Sequence, residues 1–241
     1  MNKTRTAMIL AAGLGTRLKE LTHDKPKALV EIKGKTLLQR TIEALCDSGF
    51  ERIVINIHHF GEQIIDFVAS HHFPAEIYIS DERQQLMDTG GGILQALPLF
   101  SESEAVLIHN VDVISNVDLK GLYEQFLHSS DAAWLLTQDR ETNRKLLFDE
   151  TRQLIGWKNK NSEQYKWVNG IVDDYTEMAF SGLHLFRPTL FATLEKQPTS
   201  IIDLYLQLAR NHAIRSHEIT PSLWFDLGKI EQIETIIQQI K

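Results

Sequence analysis

Cysteine is almost absent: Cys46 stands alone among 241 residues. A single thiol excludes an internal disulfide framework and a cysteine-based zinc site, and it suits a reducing compartment. Long apolar runs are missing as well. No stretch approaches the roughly 20 residues needed to span a bilayer, so no membrane partner is expected. The apolar run near the N-terminus stops at Gly13, ahead of Arg17 and Lys19, and carries no signal-peptide cleavage pattern. A cytoplasmic location is the expectation. The chain also lacks a positive balance, with a net charge of −7 at pH 7. That disfavours nucleic acid, whose general recognition needs a basic face. A triphosphate partner stays open, because one local group of cations suffices for it. Repeats and low-complexity linkers are absent, which favours one continuous domain over residues 1–241.

What is present is an ordinary soluble composition, 43% hydrophobic and 24% charged. Strand-like and helix-like patterns alternate through the first half. The apolar run at 7–11 ends at glycine, as a buried parallel strand does. Residues 36–47 read as a helix, with Leu38, Ile42, Leu45 and Cys46 on one face and Gly49 as its stop. Strands follow at 53–57, 76–79 and 105–109, with helices at 62–70 and 93–99 between them. This order predicts an α/β, Rossmann-like domain with a mostly parallel central sheet flanked by helices. After Asp131 the grammar changes. Strands at 133–137, 146–149, 154–157 and 179–186 precede helices at 200–210 and 230–240. They read as additions to the edge and mouth of the first sheet. The polar stretch 158–177 reads as irregular, either a loop over a site or a solvated connection.

Gly13 and Gly15 lie directly after the first strand, within Ala11-Ala12-Gly13-Leu14-Gly15-Thr16-Arg17. A glycine-rich turn there points backbone N–H groups into a concavity and suits phosphate, with Arg17 adding charge. The dinucleotide fingerprint wants a third glycine where Leu18 stands, and the P-loop ending is absent. Gly-x-Gly alone fits equally a tight turn without ligand. Twelve residues after Gly13 comes Lys25-Pro26-Lys27-Ala28-Leu29-Val30, where proline stiffens the chain beside a lysine. Farther on, Asp88-Thr89-Gly90-Gly91-Gly92 leaves bare backbone that suits either a flat base or a hinge. Asp112 follows a buried strand, where ligands bind in an open α/β sheet. Asp118 reads as a helix cap. The pairs His58-His59 and His71-His72 lack the spacing of a helical metal site.

The glycine loop and Lys-Pro-Lys-x-Leu-Val together resemble the N-terminus of the sugar-1-phosphate nucleotidylyltransferases, a GT-A-like α/β family. Ser80-Asp81-Glu82-Arg83 and the later Thr-Gly-Gly-Gly are similar to the N-acetylmuramate 1-phosphate uridylyltransferase branch. The mannose-1-phosphate guanylyltransferases usually carry Gly-Thr-Ala-Gly there. The resemblance implies a nucleotide-binding half over about 1–130 and a sugar-binding half over about 131–241. Its nucleotide contacts fall on Ala11, Ala12, Gly13, Gly15, Thr16, Arg17, Lys27, Glu82, Thr89 and Gly90, with Arg17 and Lys27 on phosphate during transfer. Trp224-x-Asp226-x-Gly228 is similar to a late family element, so Asp112 and Asp226 are implied as catalytic ligands of magnesium. Sugar contacts are implied at Asn110, Ser181 and Gly182, and at Trp167 and Asn169 from the preceding loop. The family's Glu-Lys-Pro sugar element is missing here, and Lys229 stands where threonine is common. No C-terminal β-helix is expected, which favours a monomer or homodimer. Beside a sugar 1-phosphate and a nucleoside triphosphate, two partner sets stay open. One is phosphocholine with CTP, for which Trp157 and Trp167 would offer a cage; the other is a nucleotide alone, in a non-catalytic sensor.

Overall fold

Ala7, Met8 and Ile9 have no solvent exposure, because the strand they form is covered on both faces. The computed structural model describes residues 4–15, 21–228 and 236–239. In chain order, the first elements are β1 (Thr6–Leu10), the hairpin β2 (Glu31–Ile32) and β3 (Lys35–Thr36), and α1 (Leu37–Asp47). Next come β4 (Arg52–Ile57), α2 (Gly61–Ala69), β5 (Glu76–Asp81), α3 (Asp88–Ala96), β6 (Val106–Asn110), β7 (Val113–Ser115) and α4 (Leu119–His128). The second half holds β8 (Ala133–Gln138), β9 (Arg144–Phe148), β10 (Leu154–Asn159), β11 (Gln164–Trp167) and β12 (Thr176–Phe186). It closes with α5 (Ile201–Leu208), β13 (Ile214–Glu218) and β14 (Trp224–Asp226).

The central strands β6, β1, β4 and β5 are parallel neighbours in that order. Alternate residues of these strands serve two cores. Ala7, Ile9, Ile53, Ile55 and Leu107 pack with Leu38, Ile42 and Leu45 of α1 and Phe126 of α4. Met8, Val54, Val106 and Ile108 pack on the other face with Ile93 and Leu94 of α3 and Leu204 and Tyr205 of α5. A sheet covered on both faces needs apolar residues at every position, which explains the unbroken apolar runs in the sequence. Helix α1 begins at Thr36, whose side chain accepts from Gln39 N–H. It ends in a Schellman turn, with Phe50 N–H on Leu45 O, Gly49 N–H on Cys46 O, and Gly49 at φ +78°.

The later strands add antiparallel neighbours. Strand β12 joins both halves: Leu183–Phe186 pair with β6, and Thr176–Met178 pair with β9. From β9 the sheet continues through β10 to β11, while β8 and β13 lie on the other side of β12's later half. Two expectations need correction. The helix expected at 93–99 starts at Asp88 and ends at Ala96, where a 3-10 turn containing Pro98 takes over. The stretch 158–177, expected to be irregular, contains the end of β10 and all of β11. Of the helix expected at 230–240, residues 236–239 are helical and the others lie outside the described residues.

Two histidines are sealed in this sheet. Burial draws His109 down to a pKa of about 4 and His184 to about 3, both from an ordinary value near 6.5. The unfolded chain therefore binds more protons between these values, and stability falls as pH drops below 6.5. We expect the urea midpoint to decline between pH 6.5 and 5 as the unfolding free energy falls by up to about 1.4 kcal/mol per pH unit for each histidine. A midpoint that stays level across that window would contradict this.

Candidate active site

Strand order reverses between β1 and β6, the place where open α/β sheets bind ligands. Both strands deliver a loop there, and Val111 N–H bonds Leu10 O at 3.2 Å to tie the two exits together. Ala11 and Ala12 are buried, whereas Gly13 and Leu14 are exposed. Gly15 sits at φ +63° and its carbonyl accepts from Thr22 Oγ1 at 3.0 Å. Thr16 and Arg17 lie outside the described residues.

The loop is braced from behind by a residue the sequence reading missed. Asn56 Oδ1 accepts from Ala11 N–H at 2.7 Å and Ala12 N–H at 3.3 Å. Its Nδ2 donates to Glu82 Oε1 at 2.7 Å, while Glu82 Oε2 accepts from Met87 N–H at 3.2 Å. Glu82 is buried, and burial pushes its carboxyl pKa up against these hydrogen bonds. Asn56→Ala strands two buried N–H groups and one carboxylate oxygen, so we expect a loss of about 1–2 kcal/mol in urea unfolding. An unchanged midpoint would show that the brace is dispensable.

The residues expected on the base side, Glu82, Thr89 and Gly90, each have partners within the protein. Glu82 faces Asn56 and Met87 and braces the glycine loop. Thr89 and Gly90 lie in the first turn of α3, not in a loop. Thr89 Oγ1 accepts from Ile201 N–H at 3.0 Å, and Gly90 N–H donates to Thr199 O at 2.8 Å. A Cβ on Gly90 would stand 2.9 Å from Thr199 O. The glycines there admit the neighbouring backbone of residues 197–200.

Pro26 leads into a 3-10 turn at Lys27–Leu29 that fixes Lys27. Lys27 is largely buried and places Nζ 2.5 Å from Asp112 Oδ2. Asp226 arrives from the far end of the chain: β14 pairs with β7, with Asp226 opposite Val113. Leu227 N–H then donates to Asp112 O at 2.9 Å. The main chain at Asp226 is thus brought beside that at Asp112 across a separation no local pattern spans.

Beyond Asp226 opens a cleft of about 920 Å³ whose lining includes Asn110, Ser181, Gly182, Arg140, Trp157 and Asn159. Gly182 is at φ +81°, and a Cβ there would lie 3.0 Å from Asn110 Nδ2. Trp167 and Asn169, expected on this side, are absent from the lining. Trp157 pairs with Lys166 and Trp167 with Gly156, so period-two alternation turns Trp167 to the opposite face. There it stacks on Tyr165 at 5.8 Å. Trp157, weighed in the sequence as half of an aromatic cage, lines the cleft without Trp167. Arg140 carried no such signal, since it stands in a polar connection between β8 and β9.

Known proteins share the sequence pattern and the fold of this chain. A model of the MobA-like NTP transferase domain matches residues 7–198. The N-acetylmuramate alpha-1-phosphate uridylyltransferase of Caulobacter vibrioides is 31% identical over 237 residues, covering 93% of this chain and 92% of that one. The mannose-1-phosphate guanylyltransferase catalytic subunit beta of Drosophila melanogaster is 27% identical over 234 residues, covering 95% of this chain and 60% of that one. The solved structure of HddC from Yersinia pseudotuberculosis, complexed with GMP-PN, has a TM-score of 0.77 at 22% identity, covering 99% of this chain and all of that one. Because the matched range takes in well over half the sequence and both strand-end loops, the chain belongs to the MobA-like NTP transferase family of nucleotidyltransferases.

Proposed function

We propose that this sugar-1-phosphate nucleotidyltransferase joins UTP to N-acetylmuramate 1-phosphate or a closely related sugar phosphate and releases pyrophosphate. The observation that carries the reading is the grouping of Lys27, Asp112 and Asp226 between a glycine loop and a large polar cleft. The Caulobacter relative, similar over nearly its whole length, supports the choice of substrates.

The glycine loop, Ala11 to Gly15 with Thr16 and Arg17 after it, would hold the triphosphate on its N–H groups. The acceptor would lie against Asn110, Ser181 and Gly182. Its phosphate oxygen attacks the α-phosphorus, the bond to the bridging oxygen breaks, and pyrophosphate leaves with the electron pair. The nucleophile is already an anion, so no strong base is needed. Positioning and charge neutralisation carry the acceleration. Lys27 would follow the phosphates as charge moves onto the leaving group.

The donor set at the strand ends fits magnesium. Asp112 and Asp226 would offer two hard oxygen donors, and among the described residues no group of three or more His, Cys, Asp or Glu is placed to hold a metal ion. The rest of an octahedral shell would come from phosphate oxygens and water, as is usual for this ion. When bound, it neutralises phosphate charge and orients the α-phosphate.

Guanylyl transfer to mannose or heptose 1-phosphate is the second reading, favoured by the Drosophila relative. Pyrophosphate release with magnesium, measured across the nucleoside triphosphates and a panel of sugar 1-phosphates, separates the two. We expect turnover with UTP and N-acetylmuramate 1-phosphate. Turnover confined to GTP would transfer the assignment, and none with any pair would refute it.

A further inference from the structure

Arg140 holds an unusual position in the cleft. Its guanidinium stacks over the Trp224 ring at 4.4 Å from the centroid, and one terminal nitrogen donates to Phe180 O at 2.9 Å. Trp224 is fixed in turn, because its Nε1 donates to Ser181 O at 3.2 Å. The plane of the guanidinium is therefore set before any ligand arrives. Among the described residues no carboxylate lies within ion-pair distance of Arg140, and its Nε is buried without a hydrogen-bond partner. Burial draws its pKa down, with the charge of Asp226 acting the other way. A half-buried cation with free donors is costly to maintain, and an anion from outside relieves that cost.

The position says which anion. Lys27 contacts Asp112, Asp112 is tied to Asp226 through Leu227, and the charge of Asp226 acts on Arg140. The two carboxylates are flanked by a cation on each side. Lys27 stands beside the glycine loop, whereas Arg140 shares the cleft with Asn110, Ser181 and Gly182. We propose that Arg140 is a catalytic residue that grips the phosphate of the acceptor and presents its oxygen to the α-phosphorus. The assignment rests on the nucleotidyl-transfer reading above. A planar fork held by Trp224 matches phosphate through two parallel hydrogen bonds, which an ammonium cannot reproduce. Arg140 keeps all its protons through the step. The phosphate oxygen supplies the electron pair for the new bond, and pyrophosphate carries away the pair from the broken one.

Arg140→Ala and Arg140→Lys test this. With N-acetylmuramate 1-phosphate as acceptor, Arg140→Ala is expected to raise the acceptor KM roughly 10–100-fold, the loss of a charge-assisted pair. The KM for UTP should change less than about threefold, and Arg140→Lys should recover only part of the loss. A structural arginine would lower the melting temperature and shift both KM values together; that result overturns the proposal. A second titration does not depend on turnover. Inorganic phosphate should bind the parent protein at least tenfold more tightly than Arg140→Ala, followed by tryptophan emission. Equal phosphate affinity, or none in either protein, overturns the proposal. Tighter phosphate binding by the parent with no pyrophosphate release from any substrate pair upholds Arg140 as the anion site and refutes the transfer reading instead.

Discussion

Asp112→Asn is expected to lower turnover roughly 10²–10³-fold, the range seen when one preorganised charge partner is lost from a transfer site. The substitution keeps the shape and one oxygen acceptor. It removes the charge that holds Lys27 Nζ at 2.5 Å and, under the proposed function, one hard donor for magnesium. The fold should persist, because the link to β14 runs through the main chain, with Leu227 N–H on Asp112 O. Lys27 is only about 10% exposed, so its ammonium loses its counter-ion in a poorly hydrated place. We expect a small fall in melting temperature beside the large fall in rate. Steady-state rates at saturating magnesium, with a melting curve for each protein, provide the check. A rate within threefold of the parent would remove Asp112 from the chemistry.

The second large effect concerns stability. Gly91→Ala should destabilise the protein by about 2–3 kcal/mol, lowering the melting temperature by about 4–12 °C. A helix ordinarily gains up to about 1 kcal/mol when alanine replaces glycine. Here a Cβ would fall inside contact distance of the Gln197 carbonyl oxygen and 3.0 Å from Met87 Cβ. Neither neighbour has room to retreat. Gly90 and Gly91 N–H groups both bond Thr199 O, Thr199 N–H bonds Met87 O, and Ile201 N–H bonds Thr89 Oγ1. Overpacking against pinned backbone outweighs propensity. Gly13→Ala is the control, since among the described residues none beyond its chain neighbours has an atom within 4 Å of its Cβ position. It should melt with the parent. Equal melting of Gly91→Ala and Gly13→Ala would show that the two segments slide freely.

These two sites also mark what the sequence could and could not disclose. The parallel core was legible because a strand covered on both faces must be apolar throughout, and the runs around Met8, Val54 and Ile108 are. The glycine loop and Lys27 were legible because their chemistry is local. Asp112 and Asp226 were joined by resemblance alone, since the β7–β14 ladder that unites them leaves no periodic mark. Gly90 to Gly92 were misread because three glycines disfavour a helix in isolation. Gly90 and Gly91 make room for residues 197–200, far along the chain, and Gly92 for Glu82 and Asn56, none of which propensity registers. Trp167 has no face that the sequence assigns, because 158–177 reads as irregular. Without a strand there is no alternation to count. Asn56 escaped notice because a buried asparagine in an apolar strand announces nothing until its partners, Ala11 and Glu82, are known.

The ladder that carries Asp226 is short, with three residues on each side. It closes a very long stretch of chain, whose entropy cost grows with loop length. Little local contact rewards that closure until the central strands are already in place. Asp226 is therefore expected to arrive late in folding, after forms with a finished core and an unfinished site. Such forms would hold a triphosphate on the glycine loop without transferring it. Catalytic competence and a folded core are separate milestones in the life of this molecule.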